Sequence, residues 1–247
     1  MTQPYRVGGG PLIDRNAPIG FRFNGRLLRA FRGDTLASAL LANGVHLVAR
    51  SWKYHRPRGV MAAGVEEPNA LVQLERGART VPNARATEIE LYEALEAASV
   101  NCFPSPERDW MALAGLASDL MPAGFYYKTF MWPGRWWPWY ERWIRRAAGL
   151  GSAPALPDPD TYERTHAHCD VLVVGAGPAG LAAALAAARS GARVMLADEK
   201  ARFGGSLNAS LLSIERRSAQ QWVAQTVTEL AACPEVTLLA RSTVFGY

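Results

Sequence analysis

Residues 170–199 read DVLVVGAGPAGLAAALAAARSGARVMLADE. Val171–Val174 is a β-branched apolar run, the composition of a parallel strand buried between two layers. Gly175-Ala176-Gly177-Pro178-Ala179-Gly180 follows without a break. Gly175 permits a tight turn out of the strand. Gly177 removes a Cβ where backbone must approach a ligand, and Gly180 lets the next helix lie close to the strand. Leu181–Ser190 is an alanine-rich helix ending at Gly191, Val194–Ala197 is a second strand, and Asp198-Glu199 closes it. The helix start offers unpaired N–H groups and a partial positive charge, a seat for a pyrophosphate. Asp198 stands 23 residues after Gly175, where an acid can accept from ribose hydroxyls.

A G-x-G-x-x-G run alone is weak. Here strand, turn, helix, second strand and acid are in register, which predicts a Rossmann-type FAD/NAD(P)-binding βαβ unit. Its expected cofactor residues are Gly175, Gly177, Pro178, Gly180 and Asp198. An acid at the ribose repels a 2′-phosphate, so NAD or FAD is expected rather than NADP. Gly204-Gly205-Ser206 resembles a loop that passes near the nucleotide in flavoprotein disulfide-reductase-like folds; an ordinary turn is the other reading. Ser218–Ala232 is an amphipathic helix, Val236–Leu239 a third strand, and Val244 is expected beside the adenine. Val171–Ala188 is 18 residues without a charge, long enough to imitate a membrane span. Its early glycines and proline divide it into strand, turn and helix instead.

The other end of the chain has a different grammar. Phe21-Arg22-Phe23 alternates like a strand, Asn24-Gly25 is a two-residue hairpin signal, and Leu27–Phe31 is the return strand. A helix then starts at Gly33-Asp34-Thr35, with Asp34 or Thr35 as its cap, places Leu36, Ala37, Leu40 and Leu41 on one face, and ends at Asn43-Gly44. Residues 65–92 read as short strands and turns, and Glu88–Ala98 has helical composition. Hairpin, capped helix and glycine together resemble the opening of a plant-type ferredoxin, a β-grasp fold. In that family the next loop carries C-x4-C-x2-C ligands to a [2Fe–2S] cluster. Here it reads HLVARSWKYHRPRG over 46–59 and holds no cysteine, so no iron–sulfur cluster is expected. The domain is then structural or an interaction module.

Between the two lies a segment rich in Pro and Trp; FMWPGRWWPWYERWIRRAAGLG holds five of the eight tryptophans. A membrane-interface belt and an arm docking on another domain or subunit both use such aromatics. Pro133, Pro138 and the lack of a neighbouring span favour docking. GSAPALPDPDTYERT over 151–165 has the composition of an exposed linker. The expected organisation is mixed α/β and α+β: a β-grasp domain over 1–100, a Trp/Pro-rich arm and linker over 101–165, and a partial dinucleotide-binding domain over 166–247.

Composition bounds the rest. Hydrophobic residues at 49% and charged residues at 20% are those of a soluble globular protein. The net charge is +5, with clusters at Lys53, Arg56, Arg58 and at Arg142, Arg145, Arg146. No recognition-helix pattern or aromatic RNA motif accompanies them, so no nucleic-acid partner is expected. Cys102, Cys169 and Cys233 are odd in number and far apart, which excludes a disulfide framework and points to a reducing, cytoplasmic setting. MTQPYRVGGG has no apolar core of a signal peptide. No triad, zinc set or paired carboxylate marks a catalytic or metal centre, and His46, His55, His166 and His168 read as structural or surface residues.

The stretches GDTLASALLANGV, RSWKYHRPRGV, EEPNALV, TVPNARATEIELYE, AGFYYKTFMWP and CDVLVVGAGPAGLAAA together resemble the alpha-subunit family of heterotetrameric sarcosine oxidases. RSWKYHRPRG is the most specific, because no general fold rule demands it. The resemblance implies an oxidoreductase subunit that pairs with beta, gamma and delta subunits and demethylates sarcosine to glycine. Oxygen is reduced to hydrogen peroxide, and the one-carbon unit leaves as formaldehyde or passes to tetrahydrofolate. It implies NAD in the Rossmann-type unit, with flavins and folate bound outside this chain. Ala179, Asp198, Glu199, Lys200, Ser206 and Val244 fall where the family contacts NAD. Members are several times longer, so the chain reads as their N-terminal part, inactive alone. The alternatives are an FAD-binding subunit of a related amine, opine or hydroxyproline dehydrogenase, and a non-catalytic module that binds partners through its Trp-rich arm.

Overall fold

The computed structural model describes residues 3–8, 12–52, 54–113, 132–147 and 151–246. The chain divides into two compact units, Met1–Asp160 and Thr161–Tyr247.

In the first unit, β1 (Asp14–Phe23) and β2 (Arg26–Arg32) form the expected hairpin. Asn24 and Gly25 both take positive φ, 50° and 78°, the backbone an Asn-Gly turn requires. β1 starts well before Phe21, with its register shifting between Asp14 and Pro18. The helix α1 (Leu36–Ala42) is capped by Thr35, whose side chain accepts from Ser38 N–H at 3.2 Å while the Ser38 hydroxyl accepts from Thr35 N–H at 3.0 Å. Leu36, Ala37 and Leu40 are buried as expected, whereas Leu41 is on the margin.

A short pair, β3 (Ala49–Arg50) and β4 (Pro57–Arg58), flanks the loop between them. β5 (Leu71–Leu74), β6 (Val81–Arg85) and β7 (Glu96–Ser99) complete a five-stranded sheet in the order β2-β1-β7-β5-β6, with β1 and β7 parallel. This corrects the helical expectation over Glu88–Ala98. Its Glu, Ala and Leu residues favour a helix locally, but β7 fills the central slot between β1 and β5, and Leu95 and Ala97 join the core with Phe21, Leu36, Leu40 and Val72. Tertiary pairing outweighs a propensity of a few tenths of a kcal/mol per residue.

Asp34, the other cap considered, is buried and has a different task. It accepts both guanidinium nitrogens of Arg6 at 3.0 and 2.7 Å, Phe31 N–H at 2.9 Å and the Ser38 hydroxyl at 2.7 Å. Asp34→Ala should destabilise this unit by about 3 kcal/mol, since it leaves a largely buried guanidinium and the part-buried Phe31 amide without their acceptor. The denaturation midpoint checks this.

Of the Trp-rich arm, residues 114–131 and 148–150 lie outside the described residues. The helix α2 (Trp137–Ala147) follows a short 3-10 turn. Pro138, read as an interruption, sits in its first turn, where a missing N–H costs nothing. Trp132, Trp136, Trp137 and Trp139 are exposed. The segment 151–160 is exposed yet tethered: Gln73 exchanges hydrogen bonds with Ser152, and Arg79 pairs with Asp160 at 2.6 Å.

The second unit runs β8 (Val171–Val174), α3 (Pro178–Arg189), β9 (Val194–Ala197), a 3-10 turn (Gly205–Ala209), β10 (Ser213–Ile214), β11 (Arg217–Ser218), α4 (Ala219–Ala232) and β12 (Val236–Leu239). The parallel sheet has the order β12-β9-β8. Leu181, Ala184, Val223 and Leu230 of the helices pack on Val194 and Leu196. The uncharged run Val171–Ala188 is strand, turn and helix, and among the described residues no helix is long and apolar enough to cross a membrane. β8 departs from the expected fully buried strand: Leu172 is 48% and Val174 62% exposed. β8 is an edge strand, and the helices cover the face that carries Val171 and Val173.

Candidate functional site

The glycine turn sits where β8 passes into α3. Gly175 has φ +93° and its N–H donates to Ala197 O at 2.8 Å. Gly177 is the N-cap of α3, with extended backbone and no side chain to cap the first amides. Pro178 has no N–H, so Ala179 and Gly180 carry the forward amides of the first turn. Gly180 has no room for a side chain: an added Cβ would stand 1.8 Å from Gly175 O. An added Cβ at Gly177 would meet no protein atom within 4 Å. One glycine is demanded by packing, the other leaves space open at a helix N-terminus.

Gly204 and Gly205 pack under the same turn. Gly204 has φ +118° and donates to Ala176 O at 2.7 Å; a Cβ on Gly205 would come within 2.9 Å of Gly177 Cα. The Gly pair therefore supports the loop directly. Asp198, at the end of β9, accepts Ala176 N–H at 2.6 Å through one oxygen and Lys200 N–H at 2.8 Å through the other. Its carboxylate clamps the glycine turn, a role that spacing alone did not suggest. Each oxygen keeps a second lone pair for a further donor.

Gly175, Gly177, Pro178, Ala179, Gly180, Gly204, Gly205 and Asp198 thus form one cluster. Glu199 and Ser206 are exposed beside it. Val244 lies beyond the end of β12 and is 37% exposed. The segment before it is drawn to the site by two backbone bonds, Arg241 N–H to Lys200 O at 3.0 Å and Ser242 N–H to Asp198 O at 2.9 Å. Ser242 carries no motif, so only the fold reveals it.

In the first unit, burial pushes the Cys102 thiol up to about 11, with the carboxylates of Asp109 and Glu107 adding to the shift. It is a protonated thiol at neutral pH. His55 is buried and pairs through Nδ1 with Asp109 at 2.7 Å, a structural histidine as its sequence context suggests.

Residues 16–102 match the family of 2Fe-2S iron-sulfur cluster binding domains, and residues 170–237 match that of FAD dependent oxidoreductases. The chain is 56% identical, over 98% of its length, to a sarcosine oxidase subunit alpha from Rhizobium meliloti, of which it spans 25%. It is 39% identical over its whole length to the corresponding subunit from Corynebacterium sp. (strain U-96), of which it spans 22%. The crystal structure of L-proline dehydrogenase from P. horikoshii superposes on 94% of this chain and 35% of its own with a TM-score of 0.52 at 18% identity, a likeness of fold.

The donor set does not fit the cluster that the first family describes. The loop over 46–59 supplies no thiolate, the three cysteines are scattered, and among the described residues no group of His, Cys, Asp and Glu could hold a metal. The second unit does fit a dinucleotide: its glycines cradle a helix N-terminus and its acid ends the second strand.

Proposed function

We propose, from the premise that this chain is a homologue of sarcosine oxidase alpha subunits, that its second unit seats the adenosine and pyrophosphate of NAD within a multi-subunit oxidoreductase acting on the CH–NH bond of sarcosine. The observation that carries this reading is the Gly177 N-cap: an uncapped helix start with no Cβ, held by Asp198 and undershot by Gly204-Gly205. The pyrophosphate would lie on the Ala179 and Gly180 amides. Asp198, with Glu199 and Lys200, would meet the adenosine ribose, Ser206 the phosphates, and Val244 the adenine. Hydride chemistry is the cofactor's; the chain binds and orients it.

In this reading the unit over 1–100 is a β-grasp module without a cluster, and the arm over 101–165 presents its tryptophans to the beta, gamma or delta subunits. The domain over 166–247 carries the dinucleotide, in a cytoplasmic complex that passes the one-carbon unit to tetrahydrofolate. FAD in the same seat is the second reading, favoured by the match of residues 170–237 to FAD dependent oxidoreductases.

Calorimetry with NAD, NADP and FAD on the purified chain tests both. NAD should bind and NADP should bind at least about tenfold more weakly, because in this reading the Asp198 carboxylate would meet the ribose and repel a 2′-phosphate. Asp198→Asn should narrow that gap. A yellow protein that binds FAD and ignores NAD supports the second reading; binding of neither dinucleotide overturns both.

A further inference from the structure

Asp198 stands where the two ends of the candidate dinucleotide seat meet. Its backbone is fixed by the end of β12. The Asp198 N–H donates to Leu239 O at 2.9 Å, and its carbonyl accepts Ser242 N–H at 2.9 Å, the chain having turned at Arg241 with φ +52°. From this anchored position the carboxylate reaches back to Ala176, 22 residues earlier.

Ala176 is fully buried and is held on both sides. Its N–H goes to one Asp198 oxygen at 2.6 Å, and its carbonyl accepts Gly204 N–H at 2.7 Å. Gly175 N–H is held by Ala197 O at 2.8 Å. Of these three holds on the turn, only that of Asp198 comes from a side chain. The other Asp198 oxygen accepts Lys200 N–H at 2.8 Å, which keeps the carboxylate from swinging away. Ala176 directly precedes Gly177, the N-cap of α3, so its placement sets the direction of the Ala179 and Gly180 amides.

Resting on the dinucleotide reading above, we propose that Asp198 is a positioning residue for the pyrophosphate as well as a contact for the ribose. It sets the phosphate amides through Ala176 and so couples the two halves of the seat. An amide bonded to a carboxylate is held more firmly than one bonded to a neutral acceptor, and donors fixed in advance save the cost of ordering them on binding. By charge alone the carboxylate acts the other way, because a negative group beside an anion's seat repels the anion. The two effects have opposite signs, which makes the role measurable.

The test uses a ligand with no ribose hydroxyl for Asp198 to meet. 2′,3′-Dideoxy-ADP keeps the adenine and the pyrophosphate and lacks both hydroxyls. Calorimetry on the full 247-residue chain compares it with ADP for the wild type, Asp198→Asn and Asp198→Ala. Dideoxy-ADP should bind Asp198→Ala at least about fivefold more weakly than the wild type, although the variant has lost a negative charge. ADP should lose more, the excess measuring the ribose contact. Asp198→Asn, equally uncharged but left with one acceptor oxygen, should bind dideoxy-ADP between the other two, and it carries the comparison should Asp198→Ala fail to fold. The Ala176 amide should exchange its hydrogen faster in Asp198→Ala, while the Leu181 and Leu230 amides keep their protection as proof of the fold. Dideoxy-ADP bound equally or more tightly by both folded variants overturns the proposal and leaves the ribose contact standing. So does a wild type that takes ADP and not dideoxy-ADP, since the phosphate amides would then have no strength of their own for Asp198 to set. A wild type that binds neither ADP nor NAD overturns the dinucleotide reading itself, and the coupling with it.

Discussion

Gly180→Ala is expected to cost the second unit about 3 kcal/mol of stability and to abolish measurable dinucleotide binding. The methyl would stand 1.8 Å from Gly175 O, which is backbone and cannot swing aside. Either α3 moves off β8 or the Gly175 turn opens, and both displace Ala176, whose N–H is held by Asp198 at 2.6 Å. Gly177→Ala is the informative partner. Its backbone, φ −71° and ψ −173°, suits alanine, and the added methyl meets no protein atom within 4 Å. Stability should change by less than about 1 kcal/mol, while dinucleotide affinity should fall at least about tenfold if the pyrophosphate rests there. Denaturation and calorimetry on the two variants separate packing from binding. Equal losses of stability in both would remove the functional distinction between these glycines.

Glu67→Gln should destabilise the first unit by about 3 kcal/mol at neutral pH. The buried Glu67 carboxylate accepts four backbone N–H groups: Met61 at 2.7 Å and Ala62 at 2.6 Å on one oxygen, Asn69 at 2.7 Å and Ala70 at 2.9 Å on the other. An amide keeps one acceptor and turns two donors on the other pair. Burial raises the carboxyl, but the four amides together outweigh it and hold the group below its usual 4.5. A group whose pKa is lower in the folded state stabilises fully above the unfolded value and loses that contribution as pH falls through the folded one. The wild-type unit should therefore weaken as pH drops below about 4.5, and Glu67→Gln should flatten this part of the pH dependence. Chemical denaturation from neutral pH to about 3 measures both. A variant with an unchanged pH profile would show that Glu67 is not the group responsible.

Much of the fold was legible because its signals are local. Asn24-Gly25 needs positive φ twice, Thr35 needs only Ser38 three residues on, and Gly175, Gly177 and Gly180 act within one turn. Where a segment's fate depended on distant partners, the reading failed. Glu88–Ala98 looked helical by composition, yet β7 is drawn into the sheet by β1 and β5, which lie far away in sequence. Val171–Val174 looked buried on both faces, but a run of β-branched residues does not say how many layers cover it.

By itself, then, the order of residues determined the hairpin, the capped helix, the βαβ turn and the absence of thiolates from the loop over 46–59, since each depends on backbone preference or side-chain chemistry within a few positions. Only the tertiary structure decided that Asp198 clamps the turn through Ala176, that Gly204-Gly205 lies beneath Gly177, that Glu67 gathers four backbone amides, and that Asp109 pairs with His55. Hydrogen bonds and close packing between residues many positions apart depend on how the strands pair, and no single stretch of sequence encodes that.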